Sequence, residues 1–419
     1  MQARPQHSGL FMPDQTRLLY LIGQFPAINH GYLLAEIRHL REFGLDVAVA
    51  SVSPPDRLPE NLSPVEREEA ERTYCLKSVP LLAAVFLNGA EFLRHPLRYL
   101  RGLIFAIRLA GPGPRQVLYH LAYFAEAVLV GRYMRRHSLT HVYANFSATV
   151  ALIAAHTFPI TMSFAAHGFG ELHDPTGTHL AERIQGSLFV RSVSRHARSQ
   201  LKLACERSAW SKLIYVPLGI DPADFVSANQ RVSPSVPRLL CVGRLAPEKG
   251  QSLLLEAIAD LKGRGRIVHL RLVGDGPDRA FLEQRSAELG IAQYVEFAGW
   301  IDHGVMNKAY AETDLFVLPS LVEGIPIVLM EAMAMQLPCV APCITGIPEL
   351  ISNGNDGMLF SVGDVESLTN TLKTLLESPE LCTRLGKQAR ERVVRDYNLE
   401  RNTRRFAAVL VGQLSGKSR

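Results

Sequence analysis

The 419-residue chain has no stretch of eighteen uncharged apolar residues, so no membrane-spanning helix is expected. Its opening, MQARPQHSGLFMPDQTR, has no continuous apolar core; it is read as a flexible extension over residues 1–15 and not as a signal peptide. Cysteine is scarce. Cys75, Cys205, Cys241, Cys339, Cys343 and Cys382 are scattered through mostly apolar context, which predicts reduced thiols and no disulfide framework. Cys339-x3-Cys343 lacks a second ligand pair, so a zinc site is not expected there. There is no G-x-G-x-x-G fingerprint and no P-loop, which argues against hydride transfer and ATP hydrolysis. D-x-D is absent too, and with it a dedicated carboxylate site for a divalent ion on a nucleotide diphosphate.

Acid is missing from one region in particular. Between Arg72 and Arg136 ten Lys/Arg face only Glu91 and Glu126, an excess larger than the net charge of +5 carried by the whole chain. Apolar runs such as VPLLAAVFL and LIFAIRLA alternate with these bases. Basic residues beside apolar helical faces suit an anionic membrane surface; ordinary core helices with basic outer faces are the alternative. Nothing in the pattern suggests a nucleic-acid partner.

What is present is the alternation of a soluble α/β protein, with 47% hydrophobic and 20% charged residues. The length calls for two domains. The first opens with a strand over 18–26, a helix over 31–43 closed by Gly44, and the strand DVAVASV, a β-α-β unit that implies a parallel sheet. Polar, proline-bearing residues 226–237 form the expected linker. The alternation then restarts with strand Arg238 to Val242, helix Gln251 to Gly263 and strand His269 to Val273, and helices over 361–376 and 379–397 close the chain. The expectation is two doubly wound domains, residues 16–225 and 238–400, facing each other across a cleft, with 401–419 as a terminal helix or tail.

Between Leu315 and Cys343 the chain reads LFVLPSLVEGIPIVLMEAMAMQLPCVAPC, with seven residues between Glu323 and Glu331. A buried strand ends at Pro319-Ser320, and a loop then carries Glu323-Gly324. Pro326 suits the first position of a helix that is expected to run to Leu337-Pro338. This puts one carboxylate and free backbone N–H groups at a helix N-terminus beyond a strand's C-terminal end, where open sheets bind ligands. A second strand-to-helix loop, VGRLAPEKG, supplies Gly243 for a turn and then Arg244 and Lys249. A guanidinium fork and an ammonium on one cleft edge are what a diphosphate needs when no metal neutralises it. LVGDGP, with Gly274, is either a pocket wall or a plain turn, and Gly299-Trp300 could border a nucleobase. In the first half, FAAHGFG places His167 at a strand end, and His173 in ELHD is a second candidate.

At these residues the chain resembles the retaining family 4 glycosyltransferases of the GT-B fold, over Arg238 to about Tyr397. The resemblance rests on VGRLAPEKG, LVGDGP, the E-x7-E pair, GIPELI and DGMLF. It implies that Arg244 and Lys249 neutralise a leaving diphosphate and that Glu331 holds the ribose hydroxyls. It implies further that Glu323, Gly324 and Ile325 orient the transferred sugar, with His167 near its C6 oxygen and anomeric carbon.

HPLRYLRGL, HVYANFSATVALIAAH and SFAAHGFGELHD make the first half similar to enzymes of bacterial exopolysaccharide and colanic acid assembly. One departure stands out. Where such proteins read FP-x-x-SETF, this chain reads FPAINHGY, so Asn29, His30 and Gly31 sit near the acceptor entrance. The expectation is a UDP-sugar or GDP-sugar as co-substrate, no cofactor and no required metal. The acceptor would be a lipid-linked glycan at the cytoplasmic side, the protein being cytoplasmic or peripheral on the inner membrane face. An epimerase or hydrolase on the same fold, or a non-catalytic scaffold, would be the alternatives.

Overall fold

The computed structural model describes residues 16–168, 174, 177–225, 236–301 and 303–415. The expected extension over 1–15, most of the expected linker and His173 lie outside the described residues.

Two parallel sheets carry the fold. The first contains β1 (Arg17–Gln24), β2 (Asp46–Ser53), β3 (Tyr74–Cys75), β4 (His141–Asn145), β5 (Thr161–Ala166), β6 (Val190–Ser192) and β7 (Leu213–Tyr215), ordered β3-β2-β1-β4-β5-β6-β7. The second contains β8 (Arg238–Val242), β9 (His269–Val273), β10 (Val295–Gly299), β11 (Leu315–Val317), β12 (Cys339–Pro342) and β13 (Met358–Phe360), ordered β10-β9-β8-β11-β12-β13. Every described pairing between these strands is parallel. The central strands show no polar alternation: β4 and β12 are buried at every position, as strands covered by helices on both faces must be. Each sheet reverses its winding once, between β1 and β4 in the first and between β8 and β11 in the second. Loops leave such a reversal in opposite directions and open a crevice at the carboxyl ends of the strands.

Apolar layers cover both faces of each sheet. On one side of the first sheet, Phe124, Val128, Leu152 and Ile153 pack with Leu19, Val142 and Phe164. On the other, Tyr20, Leu33, Ile37 and Phe189 pack with Phe406, Ala407 and Leu410 of the final helix, Leu399–Leu414. The chain's last helix therefore returns to its first sheet. A buried polar network sits in this second layer. Arg191 donates from Nη1 to Glu36 Oε2 at 2.6 Å, from Nε to Val216 O and from Nη2 to Pro217 O, and Tyr20 donates to Glu36 Oε1 at 2.6 Å. The Arg191 guanidinium also lies 4.4 Å over the Phe406 ring.

Two helix ends differ from expectation. Pro326 is the N-cap with extended backbone, so the helix is Ile327–Ala334 and stops before Leu337-Pro338, with Gln336 in the left-handed region. The following helix-rich stretch starts at Val365 and not at Ser361, because the Asp364 carboxylate accepts from Ser367 N and fixes the N-terminus there.

Candidate active site

The reversal between β8 and β11 gathers the chemistry of the second sheet. The loop after β8 runs through Arg244 to Lys249, and the loop after β11 carries Ser320, Glu323 and Gly324. Leu321 N donates to Glu248 O at 2.9 Å, which ties the two loops together. Across this tie Lys249 Nζ donates to Glu323 Oε1 at 2.6 Å, and Ser320 Oγ donates to the same oxygen at 2.7 Å. The Glu323 side chain is only 9% exposed, so the pair works in a partly desolvated environment.

Arg244 and Lys249 pair with different carboxylates. Arg244 is 61% exposed with its guanidinium 3.6 Å from Glu248, while Lys249 turns inward to Glu323. Each cation takes the carboxylate its loop brings nearest.

Glycine spacing makes the strand ends interlock. Gly274, at φ +130°, leaves no room for a Cβ, which would meet Gly243 O at 2.0 Å. Gly243 N donates to Val273 O and Gly274 N to Gly299 O, so Gly243, Gly274 and Gly299 form one backbone-lined edge. Beyond it, Arg57 from the loop after β2 lies 5.5 Å over Trp300.

Glu331 faces a cavity of about 270 Å³ that is lined by Tyr32 and Arg38 of the helix Gly31–Glu42, Asp221 and Phe225 of the segment after β7, and Ile327 of the second half. Tyr310 Oη donates to Glu331 Oε2 at 2.7 Å. Burial, then the neighbouring carboxylate, pushes the Tyr310 phenol well above its ordinary value, so it remains a donor and holds Glu331 in one orientation.

From the first sheet, His167 follows β5 and Phe146 follows β4. His30, Phe146 and His167 stack in sequence, with centroids 5.0 and 4.5 Å apart. Phe146 holds a left-handed backbone at φ +62°, a conformation that costs energy in a bulky residue. His167 Nε2 lies 2.7 Å from Asn145 Oδ1, so Nε2 carries the proton and Nδ1 is the acceptor, 3.5 Å from the Tyr32 hydroxyl. His30 Nδ1 donates to Gln24 O at 2.9 Å, and Ile28 N donates to Asp56 Oδ2, which fixes the loop carrying Asn29 and His30 ahead of the helix Gly31–Glu42. Asn29 is exposed at this rim.

The two halves touch at glycine. A Cβ on Gly324 would meet His167 O at 2.2 Å, and one on Gly168 would meet Gly324 Cα at 2.8 Å. Only glycine lets the His167 loop lie against the Glu323 loop, so His167, Glu323 and Lys249 belong to one neighbourhood. A second contact between the halves is built by Glu349 of GIPELI. Its carboxylate accepts from Arg195 N at 2.8 Å and His196 N at 2.7 Å, at the N-terminus of the helix Arg195–Leu203. Negative charge is favoured at that end of a helix.

Sequence reading did not single out Tyr32, Asn145, Phe146, Tyr310, Ser320 or Glu349 as site or contact residues. Tyr32, Asn145, Phe146, Ser320 and Glu349 stand inside quoted motifs, whereas Tyr310 is brought to Glu331 only by the tertiary fold. Among the described residues, no three His, Cys, Asp or Glu side chains gather as a metal-ligand set.

Burial lowers His167 to about 3, with Arg191 and His30 adding to the effect, and burial alone lowers His141 to about 3. Both imidazoles are therefore neutral in the folded protein above about pH 4, while the unfolded chain protonates them near 6.5. The unfolded state binds more protons in that window, so stability falls on acidification. Each histidine is expected to remove about 2 kcal/mol between pH 6.5 and 5. Urea unfolding at both pH values tests this, and His141→Gln should flatten the slope by one proton's worth. An unchanged slope in that variant would count against the assignment.

Residues 226–392 match a family model described as Glycosyl transferases group 1. The chain is 28% identical over 303 residues to a GDP-mannose-dependent alpha-(1-6)-phosphatidylinositol monomannoside mannosyltransferase of Mycolicibacterium smegmatis, covering 67% of this chain and 79% of that protein. To the amylovoran biosynthesis glycosyltransferase AmsK of Erwinia amylovora it is 25% identical over 422 residues, 94% of this chain and 99% of the other. Its fold superposes on that of Anabaena HepE in complex with UDP-glucose with a TM-score of 0.72 at 18% identity, over 94% of this chain and 99% of that one.

Proposed function

We propose that this chain, whose residues 226–392 match the group 1 glycosyltransferases and whose fold is GT-B, transfers a sugar from a nucleotide-sugar donor, with the residues just described dividing that work. The donor, a UDP-sugar or GDP-sugar, lies along the second sheet at the β8–β11 reversal. Glu331, oriented by Tyr310, accepts hydrogen bonds from the ribose hydroxyls. Gly243, Gly274 and Gly299 let backbone approach the nucleotide. Lys249 and Arg244 stabilise the diphosphate as negative charge develops on it, which is where preorganised cations are most effective. Glu323, with the N–H groups of Gly324 and Ile325, orients the sugar hydroxyls, and the neutral imidazole of His167 approaches the sugar from the other half.

The reaction proceeds with retention and without a metal. Support for retention comes from the family resemblance together with the absence of an assigned carboxylate on each side of the anomeric carbon, so same-face attack replaces double displacement. Support for a metal-free site comes from the basic pair and from the missing D-x-D. The acceptor is a lipid-linked glycan of a cell-surface polysaccharide, a reading supported by the relatives' named roles, and Asn29, His30 and Gly31 line its way in. No described helix is long and apolar enough to cross a membrane. We place the protein on the cytoplasmic side, peripheral to the membrane. The proposed domain limits are 16–225 and 238–400.

The close approach of His167 to Gly324 carries this reading, because it brings the two loops into one reaction space. A thermal-shift panel of UDP- and GDP-sugars is expected to show stabilisation by one nucleotide series, unaffected by chelator. The anomeric configuration of the product, read by NMR, should match that of the donor. Inversion, or stabilisation only with added divalent ion, would overturn the mechanism.

A further inference from the structure

Of 25 exposed large hydrophobic side chains among the described residues, 13 fall between Leu81 and Leu121. They belong chiefly to two consecutive helices, Leu81–Arg94 and Pro96–Ala110. The inward faces of these helices are settled: Asn88 and Glu91 are buried on the first, and Gly102, Ala106 and Ala110 on the second. The outward faces are apolar where solvent-facing helices should be polar. On the first helix Leu82 is 85% exposed and Leu93 80%, with Phe86 between them; on the second Leu97 is 84% exposed, and Ile104 and Ile107 continue its stripe at helical spacing.

The charge on this face has one sign. Arg94, Arg98 and Arg108 are exposed beside the apolar side chains. Both acids of the region turn away from it: Glu91 is buried against Arg132 and Arg135, and Glu126 is withdrawn from solvent. At 14 and 15 residues, each helix is about 21–22 Å long, too short to cross the roughly 30 Å hydrocarbon layer. A second copy of the chain is a poor occupant, because a two-fold interface would set the same arginines against each other. Apolar side chains ringed by unopposed bases fit the headgroup–acyl boundary of an anionic bilayer.

We propose that the helices Leu81–Arg94 and Pro96–Ala110 form a membrane-docking face, with Leu82, Phe86 and Leu97 entering the acyl boundary and Arg94, Arg98 and Arg108 binding anionic phospholipid headgroups. The face rests on the lipid-linked acceptor proposed above, since such an acceptor brings the enzyme to a bilayer, but vesicle binding is measured without any sugar transfer.

Sedimentation with vesicles tests it. Vesicles enriched in phosphatidylglycerol should retain the full chain about tenfold more strongly than phosphatidylcholine vesicles, and salt should erase the difference. Arg98→Glu/Arg108→Glu should lower retention by about fivefold or more for each charge removed. Leu82→Asp/Phe86→Asp should lose about tenfold or more, and Leu97→Asp offers an independent change on the other helix. Donor-induced thermal shift should persist in all three, which separates loss of docking from misfolding and from failure of the donor assignment. Equal retention on neutral and anionic vesicles, retention unchanged by both aspartate variants, or self-association abolished by them without vesicle binding would each overturn the proposal.

Discussion

Lys249→Ala is expected to lower kcat/KM for sugar transfer by about 10²–10³, the loss typical when one preorganised group facing developing charge is removed. Negative charge grows on the diphosphate as the glycosidic bond breaks, so the loss should fall mainly on kcat, with donor binding weakened less. The structure adds a complication that the measurement must separate. Lys249 is also the partner of Glu323, whose carboxylate would be left with Ser320 as its remaining side-chain donor. Glu323→Gln, which keeps the shape and removes the charge, isolates that contribution. If the alanine effect arose only from an unpaired Glu323, the double variant Lys249→Ala/Glu323→Gln would recover activity. Full turnover by Lys249→Ala alone would remove Lys249 from the diphosphate site.

The largest effect on stability is expected at the buried Arg191–Glu36 pair of the first sheet. Glu36→Ala should cost about 3–5 kcal/mol, because it strands a buried guanidinium without its counter-charge. Arg191 and Glu36 have side chains only 2% exposed, so water cannot take over the solvation. A loss of this size is a large part of the roughly 5–15 kcal/mol that holds a typical domain folded. In the intact protein burial opposes the charge on Arg191 and Glu36 is the main group that offsets it; without Glu36 the guanidinium still keeps its proton, because arginine is too basic to lose it. Replacing the pair together, as Glu36→Leu/Arg191→Met, should restore most of the stability. Denaturant midpoints of the three proteins decide the matter, and a loss below about 1 kcal/mol in Glu36→Ala would show that the pair is not a stability element.

The second sheet was the more legible half. Strand limits Arg238–Val242 and His269–Val273 and helix limits Gln251–Gly263 follow from apolar runs punctuated by glycine, and the structure returns the same limits. Local signals failed where the backbone answers to something distant. Pro326 carries the composition of a first helical residue, yet it serves as the cap with extended backbone, beside the loop that Thr345 Oγ1 binds through Glu323 O. The Lys249–Glu323 pair was beyond reach for a related reason. Each residue is read from its own loop, but which cation meets which carboxylate depends on two loops separated by more than seventy positions. Basic excess over 72–136 was visible in composition, whereas the inward turn of both its acids became visible only once helix faces were assigned. Phe146 shows the opposite case: it sits inside HVYANFSATV without any local oddity, and only its backbone reveals the strain.

The final helix, Leu399–Leu414, buries Phe406, Ala407 and Leu410 in the layer that covers the first sheet. The two structural lobes are therefore not two consecutive pieces of gene. An expression plasmid that stops after the linker would yield a first lobe with one wall open, exposing Tyr20, Leu33 and Phe189 to solvent and leaving the Arg191 guanidinium without Phe406. Grafting a foreign second lobe onto this first one requires two splice points: one at the linker and another ahead of Leu399, where Tyr397 and Ile220 bring the outgoing and returning strands of the chain side by side.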